Sequence, residues 1–177
     1  MNLVLIGFRG TGKTTVGNIL AKKLGCEFVD TDELIEKRHG FAIDEILERG
    51  DESMFRLMES DLINEISKLD SRVIAVGGGA ILKYKNAKNL KRRGVIFLLE
   101  ASPRTIFQRI TKDDKAKHAK HHVTGQELYN KIKNLFNLRY DYYHRASNYV
   151  IDTSGKSVDE VVDEIMTHLR NAGFISL

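Results

Sequence analysis

Short apolar runs recur along the chain, and the longer segments between them place apolar residues at helical intervals. The runs are rich in Val, Ile, Leu and Phe, which favour strands, and they lie at residues 3–6, 27–30, 72–76, 95–99 and 149–152. Strands that alternate with helices are typical of βαβ units, whose strands pair in parallel. The pattern therefore predicts an α/β fold on a parallel sheet.

Two segments in the first half of the chain have the spacing of amphipathic helices. Residues 14–24 are followed by Gly25, and glycine is common just after a helix because it readily adopts a positive φ. Residues 51–69 place four apolar side chains on one face of a helix, namely Phe55, Met58, Leu62 and Ile66. We therefore expect a helix in each segment.

Three later segments begin with the signals of a helix N-terminus. One signal is an N-cap serine before a first-turn proline, and the other is the spacing of a capping box. These signals occur at residues 102 and 103, 124 and 127, and 157 and 160. We expect the three helices to end near residues 110, 145 and 169.

Residues 111–123 interrupt this alternation, because they are rich in lysine and histidine and have no apolar period. No internal repeat divides the chain, and no Pro-, Ser- or Gly-rich linker separates one half from the other. We therefore expect a single domain over residues 1–177, with residues 111–123 inserted as a mobile lid loop.

Composition predicts a cytoplasmic globular protein. Apolar residues make up 42% of the 177 positions, and the longest uninterrupted apolar run, residues 95–99, is far shorter than the ~20 residues of a membrane-spanning helix. The chain passes from Met1 directly into the first strand without the features of a secretory signal. A single cysteine, Cys26, fits a reducing compartment, and we expect it to be a small buried apolar side chain.

The net charge of +4 indicates either a nucleic-acid partner or small anionic ligands. The basic residues at 83–93 alternate with apolar ones at helical spacing, which favours a solvated helix face. The basic loop at 112–122 has lysines but no aromatic residues for base stacking. Its three histidines have no cysteine or acidic partners at metal-ligand spacing. We therefore expect neither a nucleic-acid partner nor a metal site in this loop.

A phosphate-binding loop follows the first strand, where residues 7–14 have the sequence Gly-Phe-Arg-Gly-Thr-Gly-Lys-Thr. The glycines permit a tight loop whose N–H groups point inward, towards the positive end of the next helix. Lys13 can reach the β- and γ-phosphates, and the Thr14 hydroxyl can coordinate Mg²⁺. The alternative is an ordinary glycine-rich βα turn. The loop predicts an ATP-dependent kinase that binds MgATP through Gly10, Thr11, Gly12, Lys13, Thr14 and Thr15.

Further motifs resemble the shikimate kinase family over nearly the whole chain. They are Phe-Val-Asp-Thr-Asp at 28–32, Gly-Asp-Glu-Ser-Met-Phe-Arg-Leu-Met-Glu at 50–59, three glycines at 77–79, and Arg139 with Tyr143. The resemblance implies a three-layer P-loop kinase fold with strand order 2-3-1-4-5. It also implies transfer of the γ-phosphoryl group of MgATP to the 3-hydroxyl of shikimate, which is a step towards chorismate and the aromatic amino acids. We expect the enzyme to be a monomer.

A receptor for shikimate needs forked cations for the carboxylate and acceptors for the ring hydroxyls. The resemblance assigns the first role to Arg56 and Arg139, and the second to Asp32, which also orients the attacking hydroxyl. It places Asp30 near the metal, and it assigns substrate contacts to Gly77, Gly78 and Gly79. The residues alone leave an alternative for each: helix capping for Asp30 and Asp32, a surface cation for Arg56, and stacking on neighbouring tyrosines for Arg139.

The resemblance maps the adenine site to Arg109 and to residues 152–156. The alternative for Arg109 is a cation that compensates the dipole at a helix end.

One departure from the family lies in the lid, where Arg-Pro-Leu-Leu is replaced by Lys-Ala-Lys-His at 115–118. Lysine brings positive charge but no planar fork. We expect Lys115 or Lys117 to take the place of the missing arginine beside the transferred phosphoryl group. Two other functions remain open at this point: a kinase for another polyhydroxy acid such as gluconate, and an ATP-binding regulatory module with little turnover.

Overall fold

The computed structural model describes residues 1–112 and 125–175, and its strands form one parallel sheet. The order across the sheet is β2-β3-β1-β4-β5, and each neighbouring pair is parallel. The strands are β1 Asn2–Ile6, β2 Glu27–Asp30, β3 Arg72–Ala75, β4 Gly94–Glu100 and β5 Tyr149–Asp152. The predicted α/β class, the five strands and the order 2-3-1-4-5 are confirmed.

Helices cover both faces of this sheet. They are α1 Lys13–Leu24, α2 Thr31–His39, α3 Ile43–Glu48, α4 Glu52–Ile66, α5 Tyr84–Arg93, α6 Pro103–Lys112, α7 Gly125–Ala146 and α8 Val158–Asn171, with a 3₁₀ turn at Ala80–Leu82. Every helix predicted from spacing and end signals is present. Gly25 ends α1 with a φ of 62°, and its N–H bonds to the carbonyls of Ala21 and Lys22.

Alternating side chains of the strands supply two separate apolar clusters. In β1, Val4 and Ile6 point to the cluster that α4, α5 and α7 cover, whereas Leu3 and Leu5 point to the one that α1 and α8 cover. Side chains alternate because successive residues of a strand face opposite sides of the sheet. Burial on both faces explains why the strands have nearly continuous apolar sequences.

The structure differs from the sequence-based expectations at two helices and at the start of the predicted lid. Helices α2 and α3 were not predicted, because both are short and α2 is largely polar. The mobile-loop assignment was wrong for Thr111 and Lys112, which continue α6; the Thr111 hydroxyl donates to the carbonyls of Phe107 and Gln108. The rest of the predicted lid, and the expected cap at Thr124, lie outside the described residues.

Cys26 is only half-buried, at the margin of the cluster under α1 and α8, and not in the core as expected. Its position just after α1 and before β2 leaves one side of the residue at the surface. Burial raises the pKa of its thiol.

No helix within residues 1–112 or 125–175 combines the length and apolar content that crossing a bilayer requires.

The N-terminus of α8 offers a direct test of local stability. Ser157 and Glu160 form the predicted capping box: the serine hydroxyl accepts from the Glu160 N–H at 3.3 Å, and the Glu160 carboxylate accepts from the Ser157 N–H at 2.7 Å. We expect Ser157→Ala to lower the free energy of unfolding by about 1 kcal/mol, since it removes one cap. Urea unfolding measures this, with Thr167→Ala as a control at an exposed position of the same helix. Equal losses in both variants would contradict the capping role.

Candidate active site

The residues predicted to bind ATP and substrate meet at the carboxyl edge of the sheet. The phosphate-binding loop follows β1, Asp30 ends β2, and residues 77–79 follow β3. These three strands are neighbours in the order β2-β3-β1. Parallel pairing brings their ends to one edge, where ligands of open α/β sheets bind.

The loop after β1 has the conformation that its glycines allow. Gly10 and Gly12 have φ values of 82° and 96°, in the left-handed region that other residues rarely adopt. The Thr11 side chain is buried and donates to the Phe8 carbonyl at 2.8 Å. Helix α1 starts directly afterwards, at Lys13, so the positive end of its dipole faces the loop, which favours anion binding.

Lys13 is folded back over this loop. Its Nζ donates to the carbonyls of Gly7 and Phe8, both at 2.9 Å. Burial of the amine lowers its pKa from 10.5 to about 8, against the opposing effect of the Asp32 and Asp30 carboxylates. The amine is therefore held as a cation inside the loop where a phosphate chain would bind.

Asp30 and Thr14 form the next part of the site. The Thr14 hydroxyl donates to Asp30 Oδ2 at 2.7 Å, while Asp30 Oδ1 accepts from the backbone N–H groups of Asp32 and Glu33. Asp30 is therefore also the N-cap of α2, so the capping alternative applies to it. Its two oxygens serve different partners, and Oδ2 stays directed at Thr14.

Asp32 does not cap the helix. It lies in the first turn of α2, and its Oδ1 is buried with no hydrogen-bond partner among the described residues. Burial raises the pKa of Asp32 to about 6, and the neighbouring Asp30 charge adds to this effect, while Lys13 opposes it. An unpaired buried acceptor is costly, so Asp32 is suited to accept a hydrogen bond from a ligand.

The three glycines after β3 leave space that other side chains occupy. A Cβ on Gly77 would lie 2.5 Å from Asp32 Oδ1 and 2.9 Å from Glu59 Oε1. On Gly79 it would lie 2.5–2.7 Å from the Arg56 guanidinium. The Gly77 N–H donates to the Thr31 hydroxyl at 3.0 Å, which fixes the segment against α2. Side chains from α2 and α4 can therefore approach this backbone closely only because it carries no side chains.

Arg56 reaches this segment from α4, where Glu59 positions it. The Arg56 Nη1 lies 2.9 Å from Glu59 Oε2, and Nη2 lies 3.4 Å from Glu52 Oε1. The Glu59 side chain is 1% exposed, and burial raises its pKa to about 7 against the opposing charge of Arg56. Glu59 lies within a family motif, but no role was predicted for it; its spacing of three residues from Arg56 on a helix was the available signal.

Arg139 and Tyr143 approach the same segment from α7. The Tyr143 hydroxyl donates to the Gly78 carbonyl at 2.6 Å, and Arg139 Nη1 lies 3.4 Å from the same oxygen. The Arg139 guanidinium also lies 5.6 Å above the Phe8 ring of the phosphate-binding loop. Its stacking partner is therefore Phe8, and not one of the tyrosines next to it in sequence.

Arg109 connects two loops at the other end of the site. Its Nη1 donates to the Thr153 hydroxyl at 3.0 Å and to the Gly10 carbonyl at 3.3 Å, and its Nη2 donates to the Thr153 carbonyl at 2.8 Å. The side chain thus crosses from α6 to the phosphate-binding loop and to the segment after β5. It does more than compensate a helix dipole.

The buried carboxylates should make stability depend on pH in a defined direction. Because the pKa of Glu59 is about 7 when folded and 4.5 ordinarily, folding takes up a proton between these values. The stabilisation from the protonated group is complete below the lower value and is lost as the pH rises through the higher one. The Glu59→Gln variant has no titratable group at position 59. Its free energy of unfolding should therefore rise relative to the wild type from about pH 5 to about pH 8. Urea unfolding across this range measures the difference, and parallel curves would contradict the assignment.

Comparison with known proteins identifies the family. A sequence model described as shikimate kinase matches residues 9–170. The shikimate kinase of Thermodesulfovibrio yellowstonii is 44% identical over 165 residues, which cover 93% of this chain and 92% of that protein. The shikimate kinase of Geobacter sulfurreducens is 41% identical over 169 residues, which cover 96% and 91%.

Solved structures agree with these sequence matches. Shikimate kinase from Acinetobacter baumannii in complex with shikimate superposes with a TM-score of 0.87 at 33% identity, over 97% of this chain and 93% of that one. Shikimate kinase from Aquifex aeolicus superposes with a TM-score of 0.80 at 28% identity, over 99% and 100%. Sequence, fold and strand order agree along almost the entire length, and the chain therefore belongs to the shikimate kinase family.

Proposed function

We propose that the protein transfers the γ-phosphoryl group of MgATP to the 3-hydroxyl of shikimate and so forms shikimate 3-phosphate for chorismate synthesis. One observation carries the proposal: cations from two different helices flank a bare glycine segment, next to buried carboxylates and the lysine of the phosphate-binding loop. A small acid with ring hydroxyls fits that combination. As a member of this family, the chain is an ATP- and Mg²⁺-dependent kinase.

The substrate carboxylate binds between Arg56 and Arg139. Arg56 lies against Gly79, and Arg139 lies near the carbonyl of Gly78, so the two guanidinium groups approach the segment from α4 and α7. Each presents a planar fork that matches a carboxylate. With Glu59 holding Arg56 in place, little side-chain entropy is lost on binding. The N–H of Gly78 is the backbone donor that we assign to the same carboxylate.

The ring hydroxyls bind to the acidic side of the pocket. Asp32 Oδ1 and Glu59 Oε1 are both buried and without partners in the described part of the chain, and both lie beside Gly77. We assign Asp32 to hold the attacking hydroxyl and to accept its proton. Its pKa of about 6 is near neutral pH, which suits an acceptor of this kind.

The phosphate chain binds to Gly10, Thr11, Gly12, Lys13, Thr14 and Thr15, and Lys13 offsets negative charge on the γ-phosphoryl group. The Thr14 hydroxyl and the Asp30 carboxylate are hard oxygen ligands of the type that Mg²⁺ prefers. Within residues 1–112 and 125–175, no group of three or more His, Cys, Asp or Glu side chains has an arrangement that could hold a metal ion by itself. Mg²⁺ held through one or two protein oxygens and the phosphates fits that arrangement, and it neutralises charge on the phosphates during transfer.

We place the adenine near Arg109 and the segment at 152–156, because Arg109 ties that segment to Gly10.

We further propose that the protein works as a single-domain monomer in the cytoplasm. One continuous sheet supports a single domain. A free, half-buried Cys26 fits the reducing cytoplasm. Light scattering measures the oligomeric state, and a dimer mass would contradict the monomer.

A substrate panel tests the function. The protein is incubated with MgATP and with shikimate, quinate, gluconate or a nucleoside monophosphate, and ADP release is followed. We expect release with shikimate, and we expect Lys13→Met to abolish it without unfolding the protein, because among the described residues the Lys13 amine donates only to loop carbonyls. Lys22→Met, at an exposed position of the same helix, is the matched control. Turnover with gluconate alone would make the protein a kinase of another polyhydroxy acid, and no turnover at all would indicate a binding module.

The arginine pair gives a second prediction. Truncating Arg139 to alanine should weaken shikimate binding by roughly 2 to 5 kcal/mol, because a charge-assisted contact is lost and the substrate carboxylate stays unpaired. Arg56→Ala should have a similar effect on affinity, with an added loss of stability because Glu59 is left buried without its partner. Titration calorimetry measures both affinities, with the exposed Arg104→Ala as control. Full shikimate affinity in Arg139→Ala would show that the carboxylate binds elsewhere.

A further inference from the structure

A second concave surface lies behind the segment that carries the site glycines. It is a cavity of about 510 Å³ between the 3₁₀ turn, α5 and the C-terminal part of α7. Ligand pockets typically measure about 300 to 1,000 Å³. The residues that line this cavity include none of those assigned to ATP, Mg²⁺ or shikimate. Phosphoryl transfer therefore does not account for it.

The cavity has an apolar floor and two aromatic walls. Ile81 and Ala146 form the buried part of the floor. Tyr84, at the start of α5, and Tyr142, in α7, also line the cavity, and they are 80% and 51% exposed. Aromatic faces that are open to solvent beside an apolar floor suit the binding of a flat ring.

Four cations surround this apolar centre, and they are Lys88, Lys91, Arg92 and Arg145. The lining includes no carboxylate, and Asp141, which precedes Tyr142, is not part of it. Lys91 donates to the Arg145 carbonyl at 2.9 Å. In the part of the chain that the structure describes, the charged ends of Lys88, Arg92 and Arg145 make no ion pair or hydrogen bond. Among the described residues, therefore, no carboxylate of the lining compensates this positive charge.

We propose that this cavity binds a small aromatic carboxylate, with its ring between Tyr84 and Tyr142 and its anionic group on Lys88 and Arg145. The concave apolar floor suits a compact ring, and the unpaired cations suit one carboxylate at its edge. A second copy of this chain fits less well, because a two-fold contact through this surface would bring the four cations of one copy against the same four of the other.

The site is separate from the shikimate site but shares its supporting elements. Ile81 follows the glycine segment by two residues, and Tyr142 and Arg145 flank Tyr143, whose hydroxyl donates to Gly78. The Asn86 side chain also donates to the Ala80 carbonyl at 3.0 Å, which ties α5 to the 3₁₀ turn. A ligand here contacts residues that are close in sequence to the shikimate site, but none of the residues assigned to shikimate. Both ligands can then be bound at once.

NMR titration with 2-naphthoate tests the proposal, with saturating shikimate present so that the Arg56 and Arg139 site is blocked. We expect saturable shifts of the backbone amides at 81–92 and 142–146. The neutral analogue 2-naphthylmethanol should bind at least about fivefold more weakly, since it lacks the charge. Charge reversal by Lys88→Glu with Arg145→Glu should weaken the binding of 2-naphthoate by about tenfold or more. A larger effect is not required, because exposed ion pairs are weak.

Two control variants distinguish binding in this cavity from binding elsewhere on the protein. The double variant Lys85→Glu with Lys133→Glu makes the same change in net charge on α5 and α7 at exposed positions outside the lining, and it should bind 2-naphthoate like the wild type. Arg139→Ala should also bind it normally. Two results would overturn the proposal: no saturable shifts at these amides while shikimate saturates its own site, or equal affinity in the Lys88→Glu, Arg145→Glu variant.

Discussion

The glycine segment at 77–79 is the constraint on which the rest of the site depends. Cβ atoms on Gly77 and Gly79 would overlap Asp32, Glu59 and the Arg56 guanidinium, at separations of 2.5 to 2.9 Å. Without those Cβ atoms, side chains from α2 and α4 reach one short stretch of backbone, and Arg139 from α7 approaches Gly78 as well. Three helices therefore contribute to one pocket at the carboxyl end of β3.

This crowding has an electrostatic consequence. Lys13 loses hydration and has a lowered pKa, while Asp32 and Glu59 lose hydration and have raised pKa values. Burial is the largest cause in each case, and the opposite charges nearby counteract it only in part. Two buried carboxylate oxygens that lack partners in the described residues are then available to a ligand with hydroxyl groups. A ligand that donates hydrogen bonds to these oxygens would remove the cost of leaving them unpaired.

Local sequence patterns were sufficient for much of this molecule. Alternating apolar runs predicted the five strands, and the spacing around Lys13 predicted the phosphate-binding loop, because both depend on neighbours in the chain. The strand order came from family resemblance. Helices α2 and α3 were missed because they are short, and the role of Glu59 was missed because its burial depends on its approach to Gly77 and Asp32, which are distant in sequence. The same limit applies to Arg139, whose contact with Phe8 joins residues far apart in sequence.

The shikimate affinity of the Gly79→Ala variant tests the role of the glycine segment most directly. Titration calorimetry measures its affinities for shikimate and for ATP, and urea unfolding measures its stability. The added Cβ would displace the Arg56 guanidinium, whereas the phosphate-binding loop lies on another strand. We predict that shikimate binding weakens by at least about tenfold while ATP binding stays unchanged. Unaltered shikimate affinity in a folded Gly79→Ala protein would show that the bare glycine backbone does not position the arginine side chains that bind the substrate.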